Sequence, residues 1–300
     1  MADWQQIDGR TAVIRAAVNI GVIRLDEQSS LLVDTGIDRD SGRRAVRMVA
    51  EAGWGDIAGI LTTHAHADHV GGNAEVVRRT ECSVWASPVE AALARCPELG
   101  PAILYGAAAP AVMRGKFLLP SPSFVDHVIT TDAVVIGNLS IGVVRLPGHS
   151  PDQIGYTVGD VCFTADIVFP RETIEKYRVP FIFSVGDHRD SLERARALDH
   201  RFFVGGHGPV LDRQAFHSLI DHNAAALDLV EAATLTALES VSAADEIVSD
   251  VLRRLGAEPP DIASLALLRT TIRSVIADLA DRGVVISSVE DGRLTWSAVH

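Results

Sequence analysis

Three hundred residues, 47% of them hydrophobic, suit one large domain with an appendage, or two domains, and support a sizeable core. The formal net charge of -12 argues against broad nucleic-acid binding and against anionic membrane surfaces, although a local basic patch can survive it. No apolar run approaches membrane-spanning length and residues 1–6 lack the basic-then-apolar pattern of a signal peptide; Cys82, Cys96 and Cys162 are odd in number without metal-type spacing, so buried free thiols in a reducing cytoplasm are expected.

Residues 11–18, 21–25 and 30–33 read as strands, the last running into Asp34-Thr35-Gly36. A carboxylate that ends a buried strand before a glycine turn is either structural or a support for a metal ligand. Residues 43–52 have helical spacing, with Ala45, Val46, Met48 and Val49 on or near one face, and residues 53–55 end the helix. Residues 57–61 form the strand that feeds the stretch 62–72. There three histidines and an aspartate fall within six positions: His64, His66, Asp68 and His69. Imidazole and carboxylate suit zinc, iron or manganese. On extended or turning backbone His64 and His66 point the same way, because the side-chain period is two. Asp68 and His69 are adjacent and diverge, which suggests a second ion. Residues 74–79 read as a short helix and 83–86 as another strand. This order points to an α/β fold with ligands at strand ends.

In residues 88–125, 88–94 look helical and 102–113 are apolar, with prolines at 97, 101, 110, 120 and 122. Their length and proline content read as an insertion that caps the site, with Tyr105 toward a hydrophobic pocket. Strands return at 133–136 and 139–146, the second ending in Pro147-Gly148-His149-Ser150. Residues 155–158 and 161–164 read as a hairpin that runs into Ala165-Asp166. Residues 167–190 are loop-rich and hold Phe169, Tyr177, Phe181 and Phe183, a second pocket wall. A short helix at 192–198 and a strand at 202–204 lead to Gly205-Gly206-His207. His149, Asp166 and His207 thus each follow an expected strand.

From Asp212 the composition shifts to alanine- and leucine-rich helical stretches at 216–240, 243–255 and 264–282. Ser242 is the expected cap of the second. A hairpin over 284–287 and 293–296, around Glu290-Asp291-Gly292, follows.

The chain resembles the metallo-β-lactamase superfamily, in its hydrolase branch near glyoxalase II-type thioesterases. The resemblance rests on residues 63–72, on Leu32-Val33-Asp34-Thr35-Gly36, on Leu146-Pro147-Gly148-His149-Ser150, on Phe163-Thr164-Ala165-Asp166 and on Gly205-Gly206-His207-Gly208-Pro209. It covers roughly residues 10–212 and implies an αββα sandwich with a dinuclear site between two sheets. By the family's pattern His64, His66 and His149 hold one divalent ion, and Asp68, His69 and His207 the other. Asp166 bridges both, Asp34 supports from behind, and a hydroxide shared by the ions is the nucleophile. Asp68 is the candidate catalytic carboxylate. Two ions are implied, zinc first, with iron or manganese served by the same ligands. The domains expected are a catalytic one over 1–212 and a helical one over 213–300. The latter is similar to the winged-helix appendage of some members of the superfamily.

The resemblance favours hydrolysis of a thioester, with an ester or lactone as alternatives. Winged relatives include ribonucleases, but residues 243–300 carry six arginines, no lysine and nine acids, whereas a nucleic-acid surface needs a basic stripe. Packing against the catalytic domain, closing the pocket or forming a homodimer is the expected role of the appendage. An iron-dependent sulfur dioxygenase uses the same fold with one metal. Lactonases of this fold place a tyrosine where Phe169 stands, and only Lys176-Tyr177 hints at glutathione recognition. The expected substrate is a small molecule with an apolar acyl or aromatic group.

Overall fold

The computed structural model describes residues 2–240 and 242–299; Met1, part of the N-terminal stretch considered above, lies outside them. Strands β1 (Asp3–Gln6), β2 (Thr11–Arg15), β3 (Ile20–Arg24) and β4 (Ser29–Val33) form an antiparallel meander. Parallel strands β5 (Asp56–Leu61), β6 (Ser83–Ala86) and β7 (His127–Val128) extend it to a seven-stranded sheet in sequence order. The second sheet has six strands: β8 (Ala133–Ile136), β9 (Leu139–Arg145), β10 (Ile154–Val158), β11 (Val161–Ala165), β12 (Phe202–Gly205) and β13 (Val210–Asp212). Strands β1 and β7 lie outside the residues that sequence patterning assigned to strands. Both are short and sit at sheet edges, where alternation is weak.

Between the sheets one core joins Val13, Ile23, Leu31 and Leu61 of the first to Ile141, Tyr156, Phe163 and Val204 of the second. Each fully buried Leu or Ile there contributes about 1.5–3 kcal/mol. Helices α1 (Arg39–Glu51), α2 (Ala67–Val70), α3 (Asn73–Thr80) and α4 (Pro88–Arg95) follow the first sheet's strands. Ala45, Val49, Val76 and Ala91 cover its outer face against Ala12, Leu32 and Ile60. Helix α1 starts at Arg39 rather than at 43, because Asp38 caps it by accepting the Ser41 N–H at 3.0 Å. Next come α5 (Leu99–Tyr105), a 3₁₀ turn (Ala111–Met113), α6 (Arg171–Tyr177), α7 (Val185–Arg196) and α8 (Arg213–Leu238). Leu192 and Phe216 pack with Phe203 on the outer face of the second sheet. The layers are therefore helix, sheet, sheet, helix, as the resemblance implied.

Helices α9 (Ala244–Leu255) and α10 (Ile262–Asp281) and the hairpin β14 (Val285–Glu290) to β15 (Arg293–Ala298) complete the described chain. Ser242 does not cap α9: Ala243 occupies the N-cap position, with no side-chain bond. Asp261 does cap α10, accepting the Ser264 N–H at 2.7 Å. One core joins Phe169, Val179 and Ile182 to Leu227 and Val230 of α8, Val251 of α9 and Ile272 and Leu279 of α10. The C-terminal helices thus share apolar packing with the wall segment 167–185. Among the described residues no helix is long and apolar enough to cross a membrane. All three cysteines are free, but Cys96 is exposed rather than buried, since it sits where α4 ends.

Candidate metal centre

The site forms where β5 runs out of the first sheet. The Thr62 carbonyl accepts from the Tyr156 hydroxyl of β10 at 2.8 Å, and the Thr63 carbonyl accepts from the Ile154 N–H at 3.0 Å, so this loop is bonded to the second sheet. One turn of helix, α2, then carries Asp68 and His69. Asp68 Oδ2 and His69 Nε2 come within 4.0 Å of each other, in one donor group with His207, while the His69 ring also lies 4.0 Å from that of His64.

Asp34 leaves β4 in the left-handed region (φ 62°), which turns its carboxylate under the loop. Its Oδ1 accepts the Thr63 N–H at 2.8 Å; its Oδ2 accepts from the Thr63 hydroxyl and from His69 Nδ1, both at 2.7 Å. Because the Thr63 hydrogen is committed to Asp34, Thr63 Oγ1 must accept from His64 Nδ1 at 3.0 Å. One buried carboxylate therefore fixes the tautomers of two histidines. In the neutral imidazoles this leaves Nε2 bare for a metal ion, and neither Nε2 has a hydrogen-bond partner.

His149 and His207 follow the same logic. Each Nδ1–H donates to a carbonyl, Phe181 at 2.9 Å and Ala17 at 2.8 Å, and each Nε2 faces inward. Asp166 comes off β11 after Ala165, itself left-handed (φ 51°). Its Oδ2 lies 3.5 Å from His69 Nε2, 3.6 Å from His149 Nε2 and 3.3 Å from His207 Nε2. Gly206 leaves the space: a Cβ there would overlap Asp166 Oδ1 and lie 2.7 Å from His69 Cε1.

The donor atoms group as His64, His66 and His149, as Asp68, His69 and His207, and as His64, His69 and Asp166. All seven candidates from the sequence are brought together. Their fit to metal can be tested on the protein atoms. The buried atoms His64 Nε2, His69 Nε2 and Asp166 Oδ1 lack any partner, a costly state for polar groups. His66 Nδ1 and His149 Nε2 face each other at 2.9 Å, and the His149 proton is already placed on Nδ1. Two ligands each about 2.1 Å from a tetrahedral ion lie about 3.4 Å apart. The 3.3–3.6 Å separations around Asp166 match that spacing.

The electrostatics divide the site. Burial pushes His64 well below its ordinary range, His66 down to about 4 and His149 to about 3, so these three are neutral donors. Burial opposes charge on His69 and His207 too. There the facing carboxylates, Asp166 foremost, outweigh it, raising His69 well above 6.5 and His207 to about 10. Asp166 is held well below the carboxylate range and Asp68 down to about 2: neighbouring histidines overcome the burial that would raise them. In the carboxylate-rich half the two histidines thus hold protons against Asp68 and Asp166, protons that a bound cation would replace.

Sequence patterning gave no sign of Glu90. It lies on α4 and is fully buried. Its Oε2 accepts the Ala65 N–H at 2.8 Å, and its Oε1 accepts the Ser150 hydroxyl at 2.6 Å and the Asp152 N–H at 3.0 Å. It clamps the loop of His64 and His66 to the loop of His149, across the two sheets.

A cavity of about 1280 Å³ opens over His66, Asp68, His149, Asp166 and His207. The insertion lines it with Leu93, Ile103, Leu104 and Phe117, and the second wall with Phe169, Tyr177 and Phe181. Tyr105 does not line it. That residue ends α5 and is 41% exposed, while its neighbours Ile103 and Leu104 face the cavity. Helix α10 supplies Ser264, Leu267 and Leu268, a contribution from the C-terminal region that patterning could not show. Among the other histidines, buried His188 and His217 and His222 belong to none of the three donor groups.

Two sheets bring seven histidine and aspartate donors together, five of them on one cavity floor and His64 and His69 buried behind it, the αββα arrangement of a metal-dependent hydrolase. Residues 13–207 match the model of the Metallo-beta-lactamase superfamily, and the chain belongs to that family. A probable metallo-hydrolase of Bacillus subtilis, YqgX, is 29% identical over 199 residues, 63% of this chain and 84% of its own length. A hydroxyacylglutathione hydrolase of Rhodopseudomonas palustris is 31% identical over 153 residues; the match spans half of this chain and 48% of that protein. Among solved structures, a beta-lactamase domain protein from Burkholderia ambifaria shares the fold at 18% identity with a TM-score of 0.77, covering 99% of this chain and 94% of its own. A metallo-beta-lactamase family protein from Thermus thermophilus aligns over 98% and 96% with a TM-score of 0.67, at 17% identity.

Proposed function

We propose that the protein is a dinuclear metal hydrolase of thioesters, with esters or lactones as the alternative acyl substrates. The observation that carries this is the pair of donor groups, His64, His66 and His149 beside Asp68, His69 and His207, with Asp166 Oδ2 between them at the floor of an apolar cavity. Divalent ions held by these residues, zinc first and iron or manganese next, would supply hydroxide at neutral pH by lowering the pKa of water to about 7, and would polarise a carbonyl oxygen.

The chain's own residues do the rest. Ile103, Leu104, Phe117, Phe169 and Phe181 hold an apolar acyl group and exclude water from it. Water oxygen bonds to the acyl carbon, the carbon–sulfur bond breaks, and the thiolate leaves as the thiol after taking a proton. Asp68, ionised and partly open to the cavity, is the carboxylate placed to accept the proton of the attacking water. The hydroxyacylglutathione hydrolase relative supports thioesters first.

The region 213–300 is proposed as a winged-helix-like unit that closes the cavity with α10, the same surface being open to homodimer formation. The free cysteines suit a reducing cytoplasm. The test is thiol release from an acyl-thioester panel by the zinc-loaded protein, with His66→Ala as control. Activity absent from the control and rising with acyl length is the expected result. Oxygen uptake by iron-loaded protein, or RNA cleavage without thiol release, would replace the thioesterase reading with a sulfur dioxygenase or a ribonuclease.

A further inference from the structure

The cavity has a cationic side that acyl binding does not use. Arg15 ends β2 and Arg44 lies on α1; both line the cavity. Ile14, Ile20, Ser41 and Arg44 line it together with Arg15, so both arginines are reached from the one cavity. Among the described residues neither forms an ion pair. Arg15 Nε is buried without a partner, and Arg44 reaches only the Ser41 hydroxyl, at 3.4 Å. A buried guanidinium N–H with nothing to donate to is costly unless a ligand supplies the acceptor.

Arg44 also lines a second depression of about 540 Å³, together with Arg43, Arg47, Arg79 and a single carboxylate, Asp40. Its other arginines pair locally: Arg43 with Asp40 at 3.0 Å, Arg47 with Glu51 at 3.6 Å and Arg79 with Glu75 at 2.6 Å. The first two pairs are more than half exposed, so they bind weakly and can be shared with another anion. In a chain of net charge -12 this is a local reversal of sign. Besides the metal-centre carboxylates the cavity is lined by Glu258 and Asp261, and by Asp3, which stands directly opposite Arg15 in the β1–β2 pair and offsets part of its charge, so Arg44 is the cavity arginine with no acid paired across from it.

We infer that the thiol half of the substrate carries phosphate groups, which Arg15 and Arg44 receive at the cavity wall and Arg43, Arg47 and Arg79 receive beyond it. This rests on the thioesterase reading for the cavity and extends it from the acyl group to the leaving group. Guanidinium forks match phosphate oxygens, and several together select a polyanion over a monoanion.

The test compares one acyl group on three thiols: coenzyme A, which bears phosphates, glutathione, which bears only carboxylates, and N-acetylcysteamine, which bears neither. The expected result is a preference for the coenzyme A thioester expressed in KM. That preference should fall about tenfold in Arg44→Gln, and further in Arg43→Gln/Arg47→Gln, as charge-assisted bonds are lost. It should also shrink with rising salt. Calorimetric binding of free coenzyme A against its N-acetylcysteamine fragment reads the same contacts without turnover. Arginine-dependent binding of coenzyme A with no thioester cleaved would keep the phosphate site while ending the thioesterase reading. Cleavage with equal preference for all three thiols would overturn the site. So would an Arg44-dependent preference for the glutathione thioester, or Arg44-dependent binding of an RNA oligonucleotide in place of coenzyme A.

Discussion

At the residue scale, the site depends on where single protons sit. Asp34 accepts from Thr63 and His69 and, through Thr63, orders His64, so it reaches into both donor groups. In Asp34→Asn an amide NH₂ can face the Thr63 hydroxyl and His69 Nδ1–H, donor against donor. Relief comes when the His69 proton moves to Nε2, which then cannot hold an ion. Metal affinity, measured by competition with a chelator, is expected to fall about 10–100-fold. Affinity unchanged from the parent would show that something other than Asp34 sets the His69 tautomer. Asp34 was legible as a support because a carboxylate precedes a glycine turn at a strand end. The relay through Thr63 was not, since it joins side chains from two strands.

At the element scale, the two sheets must be held in register for their loops to share a site. Glu90 on α4 does this, bonding Ala65 beside the first histidines and Ser150 and Asp152 beside His149. Glu90→Ala strands one buried donor, the Ser150 hydroxyl, at a cost of about 1–3 kcal/mol, and two part-buried N–H groups at less. Glu90→Gln keeps an acceptor and is expected to lose less. Denaturant unfolding of the metal-free protein would order the two variants. Equal stability of both with the parent would remove Glu90 as a clamp. In sequence, Glu90 is one polar residue in an alanine-rich helix, and helical periodicity alone suggests a solvated face. Its burial is decided by a loop 60 residues away. Tyr105 is the converse case: an aromatic in an apolar segment that tertiary packing turns outward.

At the scale of the whole molecule, acid stability follows from buried histidines outside the donor groups. His188 is 1% exposed, and burial lowers it to about 3, with Arg189 adding to the shift. It is neutral when folded and protonates when unfolded. Stability is therefore whole above pH 6.5 and is lost as the pH falls from 6.5 toward about 3. The slope from one such group is about 1.4 kcal/mol per pH unit. Unfolding of metal-free His188→Gln at pH 7 and pH 5 should show a smaller loss than the parent. An equal loss would place the acid sensitivity on other groups.

The sequence by itself determined the chemistry: which donors exist, that they follow strands, and that the pattern is α/β with a helical C-terminal region. These are local properties of periodicity and side-chain type, and they survive without knowing what lies across the core. Tertiary structure alone decided which faces meet. It turned Tyr105 out and Leu104 in, buried Glu90 between two loops, and brought Leu268 of α10, Arg15 and Arg44 to one cavity. Each depends on packing between segments far apart in the chain, and no local pattern encodes which partner a face will find.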